Sequence, residues 1–278
     1  MILVTGATGT VGGAVVDALH DQGVAVRALV RNPTTAELPD DVEVVAGDLT
    51  DAAALDVALK GADSVLLVWP LLTIAPLGIF LDVARTHHVH VVFLSANGVD
   101  DAGQFVDPTT FHGDIERALK AAGLPHTFVR PSGFATNTLM WAEQIRAEGK
   151  VRWPFAEAAR TLIHERDIGA VAAQALRAKA VGAVHRITGP TAITQAEQVR
   201  IIGAAIGREL PYEDMPVEEG RRLLMDAWGD VDFVESAVAT WATFVRTPEP
   251  STNEVAEMLG RPALPFAAWA ADHAADFR

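Results

Sequence analysis

The residues best placed to do chemistry are three glycines near the start of the chain. Gly6, Gly9 and Gly12 lie between the apolar residues 2–4 and a stretch with helical spacing of apolar side chains. Glycine permits tight turns and close backbone approach, and the N–H groups at a helix start favour anions. In this order, the first glycine allows the turn, the second admits phosphates, and the third lets helix and strand pack. We therefore expect a pyrophosphate-binding turn; a glycine-rich turn that binds nothing is the alternative.

A positively charged side chain, Arg31, follows the expected end of the second strand. Residues 24–30 are typical of a buried strand, and Arg31 follows in the run ALVRNP with no acidic residue beside it. An acidic residue at this point binds the ribose 2′-hydroxyl of NAD, whereas an arginine accommodates the 2′-phosphate of NADP. A guanidinium suits phosphate because it can donate two hydrogen bonds at once. The sequence thus favours NADP(H) over NAD(H), the alternative being a solvated surface arginine.

A histidine and a glutamate one helical turn apart are the candidates for acid–base catalysis. His112 and Glu116 lie at the edge of an apolar helix face, so their side chains can meet. Histidine titrates near neutral pH and can donate a proton to a developing alkoxide. A carboxylate partner would orient the ring and raise its pKa. We expect His112 to act as proton donor or ribose contact, oriented by Glu116; the alternative is an exposed hydrogen bond without a catalytic role.

Other kinds of active site find little support. The run THHVH at residues 86–90 has no carboxylate at a helpful spacing, so we expect no metal site. Ser95 lacks the G-x-S-x-G turn of a hydrolase nucleophile. The chain has no cysteine, which excludes thiolate catalysis, disulfides and cysteine metal ligands.

These candidate residues require an α/β framework to position them. Apolar strand runs alternate with helical stretches up to about Pro131, which predicts a parallel sheet with helices on both faces. We expect a Rossmann-type doubly wound domain over residues 1–155, and a smaller, mainly helical C-terminal lobe over residues 156–278. Strands within about residues 161–190 are expected to return to the main domain. Asp51 or Thr50 is the expected N-cap of one helix, and Asp167 that of another.

Composition limits the partners of the protein. The chain has 278 residues, of which 50% are apolar, and a formal net charge of −14. Such a charge disfavours nucleic acid, itself a polyanion. The uncharged residues 64–81 are interrupted by Pro70, Pro76 and Gly78, so a buried strand, a loop and a helix start explain them better than a membrane span. We expect no signal peptide, a cytoplasmic location, and either a monomer or a homodimer.

Several runs resemble the NmrA-like group of atypical short-chain dehydrogenases/reductases. They are VTGATGTVGG, ALVRNP, VVAGDLTD, VVFLSANGV, IERALKAAGLPHTFVRPSGFATN, RDIGAVAAQAL and, at the end of the chain, EMLGRPALPFAAWAADH. The resemblance implies these cofactor contacts: Thr8, Thr10 and Val11 at the pyrophosphate, Asp48 and Leu49 at the adenine, Trp69 and Pro70 near the ribose, Ser95 and Ala96 beside the cofactor, and residues from Pro131 to Phe134 near the nicotinamide. Asn137 and Trp141, which follow that loop, are candidate substrate contacts.

The catalytic residues of the wider superfamily do not carry over. Typical members use a tyrosine and a lysine four residues apart. The single tyrosine, Tyr212, is followed four residues later by Pro216. Matching Glu116 to the corresponding helix places His112 at the lysine position and Pro108 at the tyrosine position. The resemblance is compatible with two activities, because some members without the tyrosine are reductases and others only sense the cofactor.

The sequence therefore predicts an NADPH-dependent oxidoreductase that reduces a carbonyl, a quinone or a conjugated double bond. The tryptophan-rich second half favours a hydrophobic small-molecule substrate, and we expect some of the tryptophans to line an apolar cleft at the lobe interface. The alternative is a redox-sensing regulator that binds NADP without turnover and acts through a protein partner. A sugar-nucleotide epimerase is a third possibility, and the lost tyrosine counts against it because that reaction also needs a proton shuttle.

Overall fold

The fold is described from a computed structural model that covers residues 1–71, 73–100 and 111–278. Pro108 lies outside the described residues. The strands in chain order are β1 (Ile2–Thr5), β2 (Val26–Val30), β3 (Glu43–Ala46), β4 (Ser64–Leu67), β5 (His90–Leu94), β6 (His126–Pro131), β7 (Val151–Trp153), β8 (Ala159–Arg160), β9 (Val184–Ile187), β10 (Ile193–Thr194) and β11 (Tyr212–Asp214). The helices are α1 (Thr10–His20), α2 (Ala52–Leu59), α3 (Leu77–His87), α4 (His112–Ala121), α5 (Ala142–Glu148), α6 (Glu165–Ala178), α7 (Gln195–Ile206), α8 (Val217–Trp228), α9 (Val231–Arg246), α10 (Glu254–Leu259) and α11 (Phe266–Asp272).

The chain divides into two compact units. The first comprises Met1–Pro131, Glu165–Ile187 and Glu254–Arg261, and the second comprises Ser132–His164, Thr188–Asn253 and Pro262–Arg278. The first unit therefore ends its longest segment at Pro131, whereas the sequence placed a boundary at residue 155. Residues 165–187, within the stretch expected to return to the main domain, belong to the first unit.

The first unit is built on a parallel sheet with the strand order β3-β2-β1-β4-β5-β6-β9. The chain starts at β1, adds β2 and β3 on one side, and then continues from β4 on the other side of β1. Ligands of such sheets bind at the carboxyl ends of the strands, where the order reverses. Here the reversal lies between β1 and β4. The predicted Rossmann-type doubly wound sheet is confirmed.

Helices cover both faces of this sheet. On one face, α2, α3 and α4 bury their apolar sides against alternate strand residues, among them Leu3, Val65 and Phe93, which are all fully buried. On the other face, α1 and α6 pack closely together. A Cβ atom on Gly169 of α6 would lie 2.6 Å from the Ala14 backbone of α1. The glycine therefore sets the close spacing of these two helices.

The predicted N-caps have different outcomes. Asp51 caps α2, since its Oδ1 accepts hydrogen bonds from the N–H groups of Ala53 and Ala54. Asp167 is not an N-cap, because α6 begins earlier, at Glu165. Its carboxylate is fully buried and forms an ion pair with Arg261 at 2.7 Å.

The second unit has two short strand pairs and its own apolar core. Strand β7 pairs in parallel with β11, and β8 pairs antiparallel with β10. Three tryptophans, Trp141, Trp153 and Trp269, are buried in its core together with apolar residues of α7 and α11. Among the residues that the structure describes, no helix combines the length and apolar composition needed to cross a bilayer.

Candidate functional site

The glycine turn has the geometry that its spacing predicts. Gly6 has φ = +66°, a conformation that favours glycine. A Cβ on Gly12 would lie 2.0 Å from the Gly6 carbonyl oxygen, so the helix could not approach the turn with any other residue there. Gly9 precedes α1, and no side chain caps that helix. Its first N–H groups are therefore available to an anion, together with the positive end of the helix dipole.

The predicted pyrophosphate contacts lie on both sides of this turn. Thr8 and Thr10 are exposed, whereas Val11 is buried and anchors the first turn of α1. Below the turn, Thr5 Oγ1 at the end of β1 donates to Leu66 O at 2.9 Å and accepts from the Val68 N–H at 2.9 Å. These bonds connect the carboxyl ends of β1 and β4, and they therefore fix the position of the strand end from which the turn begins.

An open groove lies beside the glycine turn. Its volume is about 310 Å³, and it is lined by Thr8, Val30, Arg31, Asn32 and Thr35. Arg31 follows β2 directly and is exposed. The loop that follows is ordered by its own contacts, because Asn32 Oδ1 accepts from both the N–H and the hydroxyl of Thr34, at 3.2 and 2.7 Å. Hydroxyl, amide and guanidinium donors thus surround a space that a phosphate would fit.

The predicted adenine contacts follow β3. Leu49 is buried in the first unit's core, and Asp48 is exposed. Asp48 Oδ1 accepts from the Thr50 hydroxyl at 2.6 Å and from the Thr50 N–H at 2.7 Å. These hydrogen bonds lower the pKa of Asp48, and the positive charge of Arg31 adds to the effect. The carboxylate is therefore ionised at neutral pH and holds the turn before α2.

The predicted ribose contacts follow β4. Trp69 is buried, and its indole N–H donates to Thr73 O at 3.1 Å. Pro70 is exposed. The Trp69 ring therefore fixes the loop that leaves the carboxyl end of β4, and Pro70 is the residue of the pair that a ligand can reach.

Ser95 and Ala96 follow β5, the next strand of the sheet. Ser95 is buried and its Oγ donates to Glu116 Oε1 at 2.6 Å. Glu116 lies on α4 and is fully buried. Its carboxylate also accepts from Arg130 Nε at 2.8 Å and from the Arg130 terminal nitrogen Nη2 at 2.5 Å. Glu116 is thus engaged by a serine and an arginine, not by His112 as the sequence predicted.

Two arginines bind the backbone of residues 97–99, which follow β5. Arg130 of β6 donates to Val99 O at 3.0 Å, and Arg186 of β9 donates to the same oxygen at 3.0 Å. Arg186 also donates to Asn97 O at 3.1 Å. Neither arginine could be predicted as a site residue from the sequence, because a charged residue inside an apolar strand run has no periodic signal. For Arg130 the sequence offers one sign of burial, namely its position in the apolar run FVRP at residues 128–131.

His112 occupies an aromatic environment at the start of α4. Its ring stacks on Phe111 with 5.0 Å between centroids and lies 6.1 Å from the Phe93 ring. Burial lowers the pKa of His112, although the charge of Glu116 acts in the opposite direction. The expected rise in pKa is therefore reversed, since loss of hydration outweighs the carboxylate. At neutral pH the imidazole is uncharged.

The remaining predicted residues belong to different units. Pro131 ends β6 in the first unit and is buried. Phe134, Asn137 and Trp141 lie in the second unit. Phe134 is half-buried and forms a bridge with Ile163, Asn137 is exposed, and Trp141 is buried.

The hydroxyl group of Tyr212 makes a structural hydrogen bond. Its hydroxyl donates to Pro154 O at 3.2 Å, and burial raises its pKa. It lies in β11 of the second unit. In the parts of the chain that the structure describes, no three histidine or carboxylate side chains are arranged to bind a metal ion.

Comparisons with known proteins identify the family of the chain and its fold. The model of the NmrA-like family matches residues 1–240. A Streptomyces griseus protein named (4-alkanoyl-5-oxo-2,5-dihydrofuran-3-yl)methyl phosphate reductase is 39% identical, over 100% of this chain and 99% of that protein. The NAD(P)H azoreductase of Xenophilus azovorans is 32% identical over the same shares. The structure of NADPH-dependent quinone oxidoreductase QOR2 from Escherichia coli, complexed with NADPH, is similar with a TM-score of 0.83 and 22% identity, over 98% of this chain and 99% of that chain.

Proposed function

The chain belongs to the NmrA-like family, and from that premise we propose that it is an NADPH-dependent oxidoreductase. It reduces a carbonyl, a quinone or a conjugated double bond of a hydrophobic small molecule. The observation that carries the proposal is that the start of α1 has no side-chain cap and that a groove lined by Thr8 and Arg31 lies beside the glycine turn. The names of the relatives support a reductase with a nicotinamide cofactor.

The first unit fits the dinucleotide. Gly6 and Gly12 leave the backbone open beside the helix start, where the pyrophosphate would lie. Arg31, with Thr8 and Thr35 beside it, would bind the 2′-phosphate of NADP. Residues 31–36, directly after β2, include no acidic residue that could bind a 2′-hydroxyl in its place. Phe134 stays a proposed nicotinamide contact, and Asn137 and Trp141 stay proposed substrate contacts.

When bound, NADPH supplies a hydride, and with one proton the acceptor gains two electrons and two hydrogens. The chain's part in this reaction is to hold the surroundings in place. Glu116 and Arg130 fix the Ser95 hydroxyl and the backbone of the loop that follows it. A preorganised site of this kind contributes orientation instead of a covalent step.

The proton has to come from a group other than a tyrosine. Tyr212 is bound to Pro154 O, and its raised pKa makes it a poor acid. A quinone or an activated enone takes up its proton from water without difficulty, because the reduced product carries a stabilised negative charge. Neutral His112 can donate a hydrogen bond to that charge. Unchanged turnover after His112→Ala would remove the histidine from the mechanism.

The Streptomyces relative favours a conjugated acceptor. Its name describes a dihydrofuranone that carries an alkanoyl group, in which a carbon–carbon double bond is conjugated with carbonyl groups. The azoreductase and the quinone oxidoreductase are named for acceptors with an azo group and with a quinone ring, and a quinone is a conjugated dicarbonyl compound. We infer that this chain reduces a conjugated acceptor as well.

A cofactor-sensing regulator is the second candidate. The engaged Tyr212 favours it, because a chain without a free phenol has lost one usual catalytic group. Oxidation of NADPH by quinones, azo dyes and activated enones, followed through the absorbance of the reduced nicotinamide, separates the two. Turnover with any of these acceptors supports the oxidoreductase. Tight NADPH binding without turnover across the panel supports the regulator, and failure to bind either nicotinamide dinucleotide contradicts both.

A further inference from the structure

An arginine of the second unit keeps one hydrogen-bonding nitrogen available. Arg160 lies on β8, and its side chain is 20% exposed. Its Nε and Nη2 donate to the two carboxylate oxygens of Glu249, at 3.2 and 3.3 Å. Among the residues that the structure describes, Nη1 makes no hydrogen bond, and it is not one of the polar atoms enclosed by the protein. Nη1 is therefore reached by solvent and can donate to a bound molecule.

The carboxylate of Glu249 fixes the orientation of this guanidinium. Glu249 is buried, and its Oε2 also accepts from the Thr161 N–H at 3.1 Å. The Glu249 N–H donates to Ala159 O at 3.0 Å. The glutamate is thus bound to the backbone on both sides of Arg160. Because a planar guanidinium that pairs with a fixed carboxylate through two nitrogens has little freedom to rotate, Nη1 has a fixed position.

A glycine makes room for the guanidinium. A Cβ on Gly133 would lie 2.7 Å from Arg160 Cζ and Nη1, and 2.8 Å from Nη2. The group therefore lies directly against the Gly133 backbone, and a side chain at this position would displace it. The Phe244 ring is also close, with 5.1 Å between its centroid and Arg160 Cζ. Glycine, phenylalanine and glutamate surround the guanidinium and leave Nη1 for a ligand.

The guanidinium is next to a proposed nicotinamide contact within the same unit. Gly133 directly precedes Phe134 in the chain. The Gly133 carbonyl accepts from the Ile163 N–H at 2.9 Å, and the Ala135 N–H donates to Ile163 O at 2.9 Å. Residues 133–135 are thus paired with the segment that leaves β8. Phe134 and Arg160 therefore have a fixed spatial relationship, and a cationic donor lies beside the proposed position of the nicotinamide.

The chemistry of a guanidinium limits what this residue can do. It stays protonated at all ordinary pH values, so it cannot supply the proton of a reduction. It can donate a charged hydrogen bond to an oxygen atom that gains negative charge, and such a bond strengthens as the charge develops. Because its position is set before a ligand binds, little reorganisation accompanies the reaction.

We propose that Arg160 is a catalytic residue whose Nη1 binds a carbonyl oxygen of the acceptor and stabilises the negative charge that forms there. The inference rests on the proposed function. As a carbon atom of the acceptor gains a hydride from NADPH, the electron pair of its double bond moves to the oxygen, through the conjugated system where the two atoms are not adjacent. The oxygen then takes up a proton from water.

A binding test uses 2,4-dinitrophenolate, a stable anion that resembles the reduced acceptor before it is protonated. Calorimetry on the full chain saturated with NADP⁺ measures its Kd. Arg160→Gln keeps a donor for Glu249 and removes the charge, so the Kd should rise about tenfold. The Kd for 1,3-dinitrobenzene, which lacks the anionic oxygen, should change less than about twofold. Arg152→Gln, which alters another arginine–glutamate pair of the unit, is the matched control and should leave both values within about twofold.

A second variant decides the question if Arg160→Gln does not fold. Gly133→Ala keeps both charges and displaces the guanidinium, because the added methyl group would lie 2.7 Å from Arg160 Cζ. It should weaken binding of the phenolate and leave that of dinitrobenzene unchanged. Equal phenolate affinity in the wild type and in the folded variants would overturn the inference. Absence of phenolate binding by the wild type would also overturn it.

Turnover provides an independent readout. With 1,4-naphthoquinone, Arg160→Gln should lower kcat at least about tenfold and change KM less than about threefold, because the charge on the oxygen forms only in the transition state. The loss should be larger with the 2-methyl derivative, which is harder to reduce. Wild-type turnover by Arg160→Gln would overturn the inference and leave the proposed oxidoreductase standing. Absence of NADPH oxidation with every acceptor would refute the proposed oxidoreductase, while the phenolate comparison would still decide whether Arg160 binds an anionic oxygen.

Discussion

At the residue scale, Arg31 carries the choice of cofactor. Arg31 is exposed and lines the groove beside the glycine turn, which Thr8 and Thr35 also line. A charged hydrogen bond to phosphate is stronger than a neutral one. The side chain therefore contributes to NADPH binding and little to NADH binding.

Replacement of Arg31 by alanine should separate the two cofactors. We expect the Kd for NADPH to rise about 10- to 100-fold, because the 2′-phosphate loses its cationic partner. The Kd for NADH should change less than about threefold. Calorimetry with both dinucleotides measures the effect, and Arg200→Ala, which alters an exposed arginine of α7, is the control. Equal losses for NADPH and NADH would contradict the assignment of Arg31.

Glu116 has a structural importance that its sequence position does not reveal. Its carboxylate accepts three hydrogen bonds from Ser95 and Arg130, and both members of the ion pair are fully buried. Removal of one partner would leave the other charge buried and unpaired, which is far more costly than loss of an exposed pair.

The variant Glu116→Gln should therefore lower the free energy of unfolding by about 3–5 kcal/mol. Glu213→Gln, which changes a partly exposed pair with Lys150, should lower it by less than about 1 kcal/mol. Urea denaturation of both variants provides the comparison. If the two variants are equally stable, the buried pair does not have the role inferred from its geometry.

At the scale of elements, the contact between α1 and α6 depends on a missing side chain. A Cβ on Gly169 would lie within 2.6 Å of the Ala14 backbone, and backbone cannot move aside as a flexible side chain can. Gly78 of α3 provides the opposite case, since a Cβ there would meet nothing within 4 Å.

Alanine at these two helical glycines should have effects of opposite sign. Gly169→Ala should destabilise the chain by about 1–3 kcal/mol through overpacking. Gly78→Ala should stabilise it by about 0.5–1 kcal/mol, because alanine favours the helical conformation and has room. Thermal or urea unfolding of the pair checks the prediction. A stabilising Gly169→Ala would show that the two helices can separate without cost.

The elements were predictable where local pattern determines them. Strand β1, the glycine turn, helix α1 and Arg31 after β2 could all be predicted, because apolar runs and turn residues mark them within about ten residues. The wrong expectation for Asp167 has a different origin. Locally it resembles a cap, yet its partner is Arg261, far along the chain. Periodicity contains no information about such pairs.

The same limit explains what was missed at the candidate site. Arg130 and Glu116 meet only when α4 packs on the sheet, so nothing near either residue signals the ion pair. The hydrogen bond from Arg186 to Val99 O forms only because β9 lies beside β6. His112 was expected to gain a proton more readily, and its aromatic surroundings, which reverse that effect, come from β5 and from Phe111.

At the scale of the whole molecule, buried histidines couple stability to pH. Burial lowers the pKa of His90 from its ordinary value of 6.5 to about 4, and it also lowers the pKa of His112. The unfolded chain therefore binds more protons than the folded chain below pH 6.5. Stability from this source is fully present above pH 6.5 and is lost as the pH falls towards 4.

The free energy of unfolding should therefore decrease steadily between pH 6.5 and pH 4. His90→Gln keeps a polar side chain beside Thr127, the hydrogen-bond partner of His90, and removes one titrating group. Its unfolding free energy should depend less steeply on pH over this interval. Urea denaturation at several pH values tests this expectation, and a slope as steep as that of the wild type would assign the effect to other groups.

The hydrogen bond between Tyr212 and Pro154 makes the chain's one phenol an optical probe. A free tyrosine ionises near pH 10, and its near-ultraviolet absorbance then increases. Because burial raises the pKa of Tyr212, that increase should coincide with the loss of helical circular dichroism in alkali. A smooth titration near pH 10 with intact helices would show that the phenol reaches solvent. If the absorbance instead increases together with the loss of helical signal, the increase marks the pH at which the hydrogen bond between Tyr212 and Pro154 breaks.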